Sequence, residues 1–99
     1  MQVAQTIRVQ DIIDVLEHWA PPVLQESYDN SGLLVGDRSA SIESALVSLD
    51  CTEAVVEEAA RKGAGMIISH HPIIFSGLKR LTGDNHVERT VMAAVRHGI

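Results

Sequence analysis

The apolar residues near the N-terminus recur at the spacing of an amphipathic helix. In the stretch IRVQDIIDVLEHWAPP the apolar positions are Val9, Ile12, Ile13 and Leu16. Asp11 falls in or near the first turn, where a negative charge suits the helix dipole, and Pro21-Pro22 cannot continue a helix. The pattern therefore predicts one amphipathic helix that ends before the two prolines.

A turn and a short strand are predicted next. The cluster Asp29-Asn30-Ser31-Gly32 is typical of a turn, and the apolar run Leu33 to Val35 follows it, closed by Gly36-Asp37. Turn residues on both sides of a short apolar run favour a strand.

The middle of the chain predicts a βαβ unit. An apolar run from Ala45 to Leu49 leads into CTEAVVEEAARKG, which has a capping residue, Thr52, at its start and Gly63 at its end. These are the signals of a helix flanked by its caps. A second apolar run, Met66 to Ser69, follows. Strand, helix and strand in this order predict two parallel strands with a right-handed crossover.

The C-terminal part predicts a third helix. Asn85-x-x-Glu88 is a capping pattern, and Gly98 stands at the end of the apolar periodicity that follows. The alternation of strands and helices predicts an α/β fold with helices packed on a mainly parallel sheet. Ile99 stands where the next strand is expected, so we expect residues 1–99 to form a single, truncated domain.

Composition restricts the classes of partner. The chain of 99 residues has a formal net charge of −5 and 3% aromatic residues, and no basic run for a nucleic acid backbone to contact. Its one cysteine, Cys51, excludes an intrachain disulfide and permits a reducing compartment. Neither a leader pattern nor an apolar run of membrane-spanning length is present. We therefore expect a cytoplasmic protein that binds neither nucleic acid nor membrane.

Two neighbouring histidines, His70 and His71, follow the strand predicted at Met66 to Ser69. Ligands of α/β sheets bind at the carboxyl ends of strands. Adjacent side chains of a regular strand point to opposite faces, so the pair is unsuited to one shared ion. Pro72 favours an extended His71, and each imidazole can instead serve one ion of a pair. The spacing alone leaves a second interpretation open, in which the histidines are solvated or hydrogen-bonded without a metal.

Other polar residues carry weaker signals. Asp50, just ahead of the second helix, either caps that helix or acts as a supporting carboxylate or general base. Asp29 and Asn30 either form only a turn or point into a cleft. Cys51 is either a thiol of lowered pKa at a helix start or a buried spectator. The three remaining histidines, which we expect on helix surfaces, are His18, His86 and His97.

Taken together, three stretches resemble the NIF-three-like proteins, a dinuclear-metal family described as GTP cyclohydrolase type-2-like. They are SYDNSGLLVGD, SALVSLDCTEAVVEEAARKGAGMIISHHPIIFSGLKRL and VMAAVRHGI. The most specific element is SHHP-x-x-F after a βαβ unit and a DN-x-GLLVG turn. The resemblance implies the N-terminal part of that α/β fold, in subunits that commonly form ring-shaped hexamers. It implies that His70 and His71 are metal ligands.

The resemblance further implies a metal-dependent hydrolase acting on a nucleotide-like small molecule. Two divalent ions would be its cofactors, and imidazole ligands leave zinc, iron, manganese or nickel open. The family's other ligands, an HTxxD-type segment and a late His and Glu, have no counterpart here, so only two imidazoles are available. The sequence contains neither a GxxxxGK loop nor a GxGxxG loop, the motifs that would indicate a nucleotide-binding site. The rival interpretation is a non-catalytic scaffold in a regulatory complex.

Overall fold

A computed structural model describes residues 6–20, 30–74 and 76–99. Three helices and four short strands lie in these ranges. Along the chain they are β1 (Ile7–Arg8), α1 (Val9–Trp19), β2 (Ser41–Ile42), β3 (Ala45–Ser48), α2 (Glu53–Arg61), β4 (Met66–Ser69) and α3 (His86–His97). Pro21, Pro22 and Asp29, for which the sequence predicts a helix end and a turn, lie outside the described residues. None of the described helices is long and apolar enough to cross a membrane.

The predicted βαβ unit is present, which confirms the α/β class. β3 and β4 pair in parallel, with Ala45 opposite Met66 and Ser48 opposite Ser69, and α2 connects them. Because parallel neighbours cannot be joined by a tight turn, the helix serves as the crossover. The carboxyl ends of both strands therefore lie at the same edge of this sheet.

The helix ends follow the local sequence. Thr52 Oγ1 accepts a hydrogen bond from the Val55 backbone N–H at 3.3 Å, and Asn85 Oδ1 accepts one from the Glu88 N–H at 2.9 Å. Gly98 ends α3 in the left-handed conformation with φ 70°. These caps satisfy backbone groups that a helix terminus leaves unpaired.

The core lies where α2 and α3 pack together over the parallel sheet. Val56, Ala93 and Ala94 form its buried centre. The partly buried residues around it are Val35, Cys51, Ile67 and Ile99. The side chains at the centre of this core are small and aliphatic.

Residues 33–35 do not form the strand that the sequence predicts. Glycines with φ 122°, Gly32 and Gly36, lie on either side of them, and this conformation interrupts an extended chain. A strand also needs a neighbour to bond with, and among the described residues the second pair is β1 with β2, antiparallel, with Ile7 opposite Ile42. Val35 instead packs its side chain against the core. The prediction was wrong because an apolar run can be buried without entering a ladder.

Candidate metal centre

The two histidines remain hydrogen-bonded to the neighbouring strand where they leave the sheet. The His70 N–H donates to the Ser48 carbonyl at 3.1 Å, and the His71 N–H donates to the Leu49 carbonyl at 3.0 Å. Two further backbone hydrogen bonds therefore follow the end of β4. This fixes the backbone of both histidines at the carboxyl edge of the sheet, where the sequence predicts them.

The imidazole rings of His70 and His71 lie side by side. Their centroids are 4.9 Å apart and their planes are inclined by 54°. The rings are therefore neighbours and are not on opposite sides of the sheet. Two tilted rings at this separation present two sets of nitrogen atoms, which fits one imidazole for each ion of a metal pair.

Asp50, which follows β3, contacts His71. The distance from His71 Nδ1 to Asp50 Oδ1 is 2.6 Å. An ionised carboxylate only accepts hydrogen bonds, so Nδ1 carries the proton and Nε2 of a neutral ring keeps a free lone pair. Histidines that bind metals are commonly held by such a carboxylate on the other nitrogen. About half of each side chain is exposed, so we assign the contact a role in orienting the ring more than in stability.

The capping role that the sequence favours for Asp50 is wrong. Thr52 supplies the side-chain cap of α2, because its hydroxyl stands at the position from which it reaches the Val55 N–H. Asp50 lies two residues earlier and bonds to the imidazole. The alternative prediction, a supporting carboxylate, agrees with this geometry.

The chain after His71 is held by side chains. The Ser69 hydroxyl donates to the His71 carbonyl, and the Asn30 Nδ2 amide donates to the Ile74 carbonyl at 2.5 Å across 44 positions of sequence. Asn30 also lines a hollow of about 1140 Å³ together with both histidines. Asn30 therefore lies in a cleft, which agrees with the second of the two interpretations given for Asp29 and Asn30. Asp29 lies outside the described residues.

Of the remaining candidate residues, Cys51 and His86 line a smaller hollow together with Asp50 and His71, whereas His18 and His97 do not. Burial raises the pKa of the Cys51 thiol, which favours the spectator interpretation over an activated nucleophile. His18 and His86 are exposed, and His97 Nε2 lies 3.2 Å from a Glu57 carboxylate oxygen on α2. These three histidines are on helix surfaces, as predicted.

The described residues include two neighbouring imidazoles but no full set of metal ligands. Within ranges 6–20, 30–74 and 76–99, no group of three His, Cys, Asp or Glu side chains is placed to hold one metal ion. The two imidazoles could each supply one ligand to a separate metal ion, since a neutral imidazole with a free Nε2 is a typical metal ligand. Water and residues outside these ranges would complete each shell. The Asn30 to Ile74 contact has no sequence signal, because it joins distant positions.

Comparison with known proteins identifies relatives of this chain. Residues 7–99 match the family model described as Duf34/NIF3 (NGG1p interacting factor 3). A Clostridium acetobutylicum protein described as a GTP cyclohydrolase 1 type 2 homolog is 38% identical over 94 residues, which is 95% of this chain and 35% of that protein. A Staphylococcus aureus protein of the same description is 42% identical over 80 residues, or 81% of this chain and 22% of that protein. The chain thus spans about a third or less of these curated relatives.

Solved structures agree with this assignment. A Staphylococcus aureus hypothetical protein superposes with a TM-score of 0.90 at 38% identity, covering 98% of this chain and 28% of that one. A Bacillus cereus protein related to NIF3 gives a TM-score of 0.88 at 32% identity, covering 97% and 26%. The family-model match over residues 7–99 includes the βαβ unit and the paired histidines. The chain therefore belongs to the Duf34/NIF3 family.

Proposed function

We propose that His70 and His71 each bind one ion of a divalent metal pair, in a metal-dependent hydrolase that acts on a nucleotide-like small molecule. The observation that carries the proposal is the 2.6 Å contact between His71 Nδ1 and Asp50 Oδ1, beside the neighbouring His70 ring. It leaves the His71 Nε2 free to act as a ligand and orients the ring. Imidazole accepts zinc, iron, manganese and nickel, and the proposal covers all four.

The residues of this chain would have distinct roles in such a site. A bound metal pair lowers the pKa of a shared water and supplies hydroxide near neutral pH. Asp50 holds the His71 proton on Nδ1, and the sheet holds both backbones in register. The description of the relatives as GTP cyclohydrolase homologs supports a nucleotide-like substrate. Since the chain spans a minority of their length, the reaction is proposed for the whole protein.

Metal content tests this proposal. We would purify the intact protein without chelator and measure metal by plasma mass spectrometry, beside the His70→Ala/His71→Ala double variant. The control is His18→Ala/His97→Ala, which removes two helix-surface histidines that do not line the hollows at His71. We expect about two equivalents per chain in the wild type and the control, and a loss in the first variant. Equal metal content in all three proteins would overturn the proposal.

A second candidate function is a scaffold that associates with further copies of the chain. The observation in its favour is exposed apolar surface on the parallel sheet, where Val47 is 73% and Leu49 is 63% exposed. Surfaces of this kind are commonly buried in protein interfaces. Sedimentation of the His70→Ala/His71→Ala variant separates the two functions. Loss of assembly together with metal favours the scaffold, whereas retained assembly with lost hydrolytic activity favours the enzyme.

A further inference from the structure

The loop that follows the two histidines has little backbone support of its own. The two backbone hydrogen bonds that follow the end of β4 reach as far as the His71 N–H. Among the described residues, no backbone–backbone hydrogen bond outside helices and strands involves Pro72, Ile73 or Ile74. Within the described residues, the hydrogen bond that this segment makes comes from a side chain elsewhere in the chain.

Asn30 provides such a contact. Its part-buried Nδ2 donates to the Ile74 carbonyl at 2.5 Å. A carbonyl oxygen only accepts, so the amide nitrogen must face it, and the orientation of the Asn30 side chain follows. The segment that carries Asn30 is itself anchored, because Val35 packs against the core.

The contact lies close to the proposed ligands. Ile74 is three residues after His71, a stretch that spans at most about 10 Å of extended chain. Pro72 stiffens this stretch by fixing one of its backbone angles. A displacement of Ile74 would therefore be transmitted to His71, whose carbonyl the Ser69 hydroxyl also holds.

We infer that Asn30 is a positioning residue, whose amide holds the loop after the histidines so that the His71 ring stays against Asp50. Its effect on metal binding rests on the proposed function, whereas its effect on the ring does not. Asn30 itself touches no proposed ligand atom and acts through the loop.

The first experiment uses the metal-free intact protein and measures hydrogen exchange by NMR. Asn30→Ala and Asn30→Asp both remove the donor, and the second keeps the side-chain shape. We expect the His71 amide, relative to the Val91 amide in α3, to exchange about fivefold faster in both variants, since a hydrogen bond of ordinary strength is lost. We also expect the ring Nδ1–H signal of His71 to weaken. Unchanged exchange and an unchanged ring signal would overturn the inference.

The matched control is Asp11→Ala. It removes the carboxylate that accepts from the Arg8 N–H at 2.9 Å at the start of α1, a contact of similar kind away from the histidines. A loss of general stability would raise the exchange rates of the His71 and Val91 amides together. For Asp11→Ala we therefore expect the ratio of the His71 rate to the Val91 rate to equal that of the wild type. A ratio changed as much as in the Asn30 variants would contradict a specific role.

Two further measurements keep the result decisive. In the unsubstituted protein, one Asn30 Nδ2 proton should exchange more slowly than the other, and fast exchange of both contradicts the inference without any variant. Zinc alone is then titrated into each protein, where we expect about tenfold weaker binding by the Asn30 variants. If the wild type binds no zinc, Fe²⁺, Mn²⁺ and Ni²⁺ are titrated in turn, and the proposed function fails if none of them binds. The metal-free exchange decides the role of Asn30 in either case.

Discussion

At the scale of single residues, the site depends on a contact between side chains from two adjacent strand ends. His71 comes from the end of β4 and Asp50 from the end of β3, and their bond defines which nitrogen is free. The strand order brings them together because parallel strands end at one edge. Loss of a carboxylate that holds a metal-binding histidine typically lowers metal affinity. The charge of Asp50 is therefore expected to matter for metal binding.

Replacing Asp50 by Asn tests that expectation. Asp50→Asn retains an oxygen that accepts the Nδ1–H but loses the negative charge, so we expect zinc to bind about tenfold more weakly. Competition with a chromophoric chelator measures the affinity. The control Asp14→Asn changes a carboxylate that accepts from Gln10 on exposed α1, and it should bind zinc as the wild type does. Equal affinity in the wild type and Asp50→Asn would count against the orienting role.

A second prediction at this scale concerns Glu88, which is 5% exposed. Hydrogen bonds from Thr82, its backbone N–H first, hold the pKa of the Glu88 carboxyl below its usual value. The ionised carboxylate therefore stabilises the fold above the unfolded-state pKa, and this contribution is lost as pH falls through the lower folded-state pKa. In urea unfolding, Glu88→Gln should be less stable than the wild type at neutral pH, and the gap should narrow in acid.

The comparison for Glu88 is Glu17→Gln, which changes an exposed glutamate of α1. The free energy of unfolding of Glu17→Gln should differ little from that of the wild type, and this difference should not narrow in acid as it does for Glu88→Gln. A gap for Glu88→Gln that stays constant from neutral to acid pH would show that its ionisation does not stabilise the fold.

At the scale of elements, the signals that predict correctly are those that act within one turn of helix. Thr52, Asn85, Gly63 and Gly98 each satisfy or permit a backbone conformation a few residues away, and these ends lie as the sequence indicates. The strand prediction for Leu33 to Val35 was wrong because a strand requires a pairing partner elsewhere in the chain. The β1 and β2 pair was missed for the same reason, since two residues carry no periodicity.

Gly63, which follows α2, and Gly77, in a loop, should differ in the effect of an alanine substitution on the free energy of unfolding. Gly63 has φ 73° with nothing within 4 Å of an added Cβ, and Gly77 also has open space but no positive φ. Gly63→Ala should lower the free energy of unfolding by about 1 kcal/mol through backbone strain alone. Gly77→Ala should change it by less than about 0.5 kcal/mol. Equal effects in urea unfolding would refute the assigned cause.

At the scale of the whole molecule, the chain corresponds to part of the larger fold of its relatives. It spans 28% of one solved relative at a TM-score of 0.90, and its described residues supply two neighbouring imidazoles and no set of three ligands. The sequence predicts where the histidines lie, because a strand followed by His-His-Pro places them at the sheet edge. It names Asp50 and Asn30 only as one of two interpretations each, and it does not predict their partners, since Asp50 is 21 positions from His71 and Asn30 is 44 positions from Ile74.

The most direct test of the central claim observes the imidazole nitrogens while zinc is added to the intact, ¹⁵N-labelled protein. We expect the Nε2 resonance of His71 to shift, its Nδ1 to remain protonated against Asp50, and His70 to respond at the same zinc concentrations. His18 and His97, which do not line the hollows at His71, should stay unchanged. Shifts spread equally over all five histidines, or absent from His70 and His71, would contradict a metal pair held by these two residues.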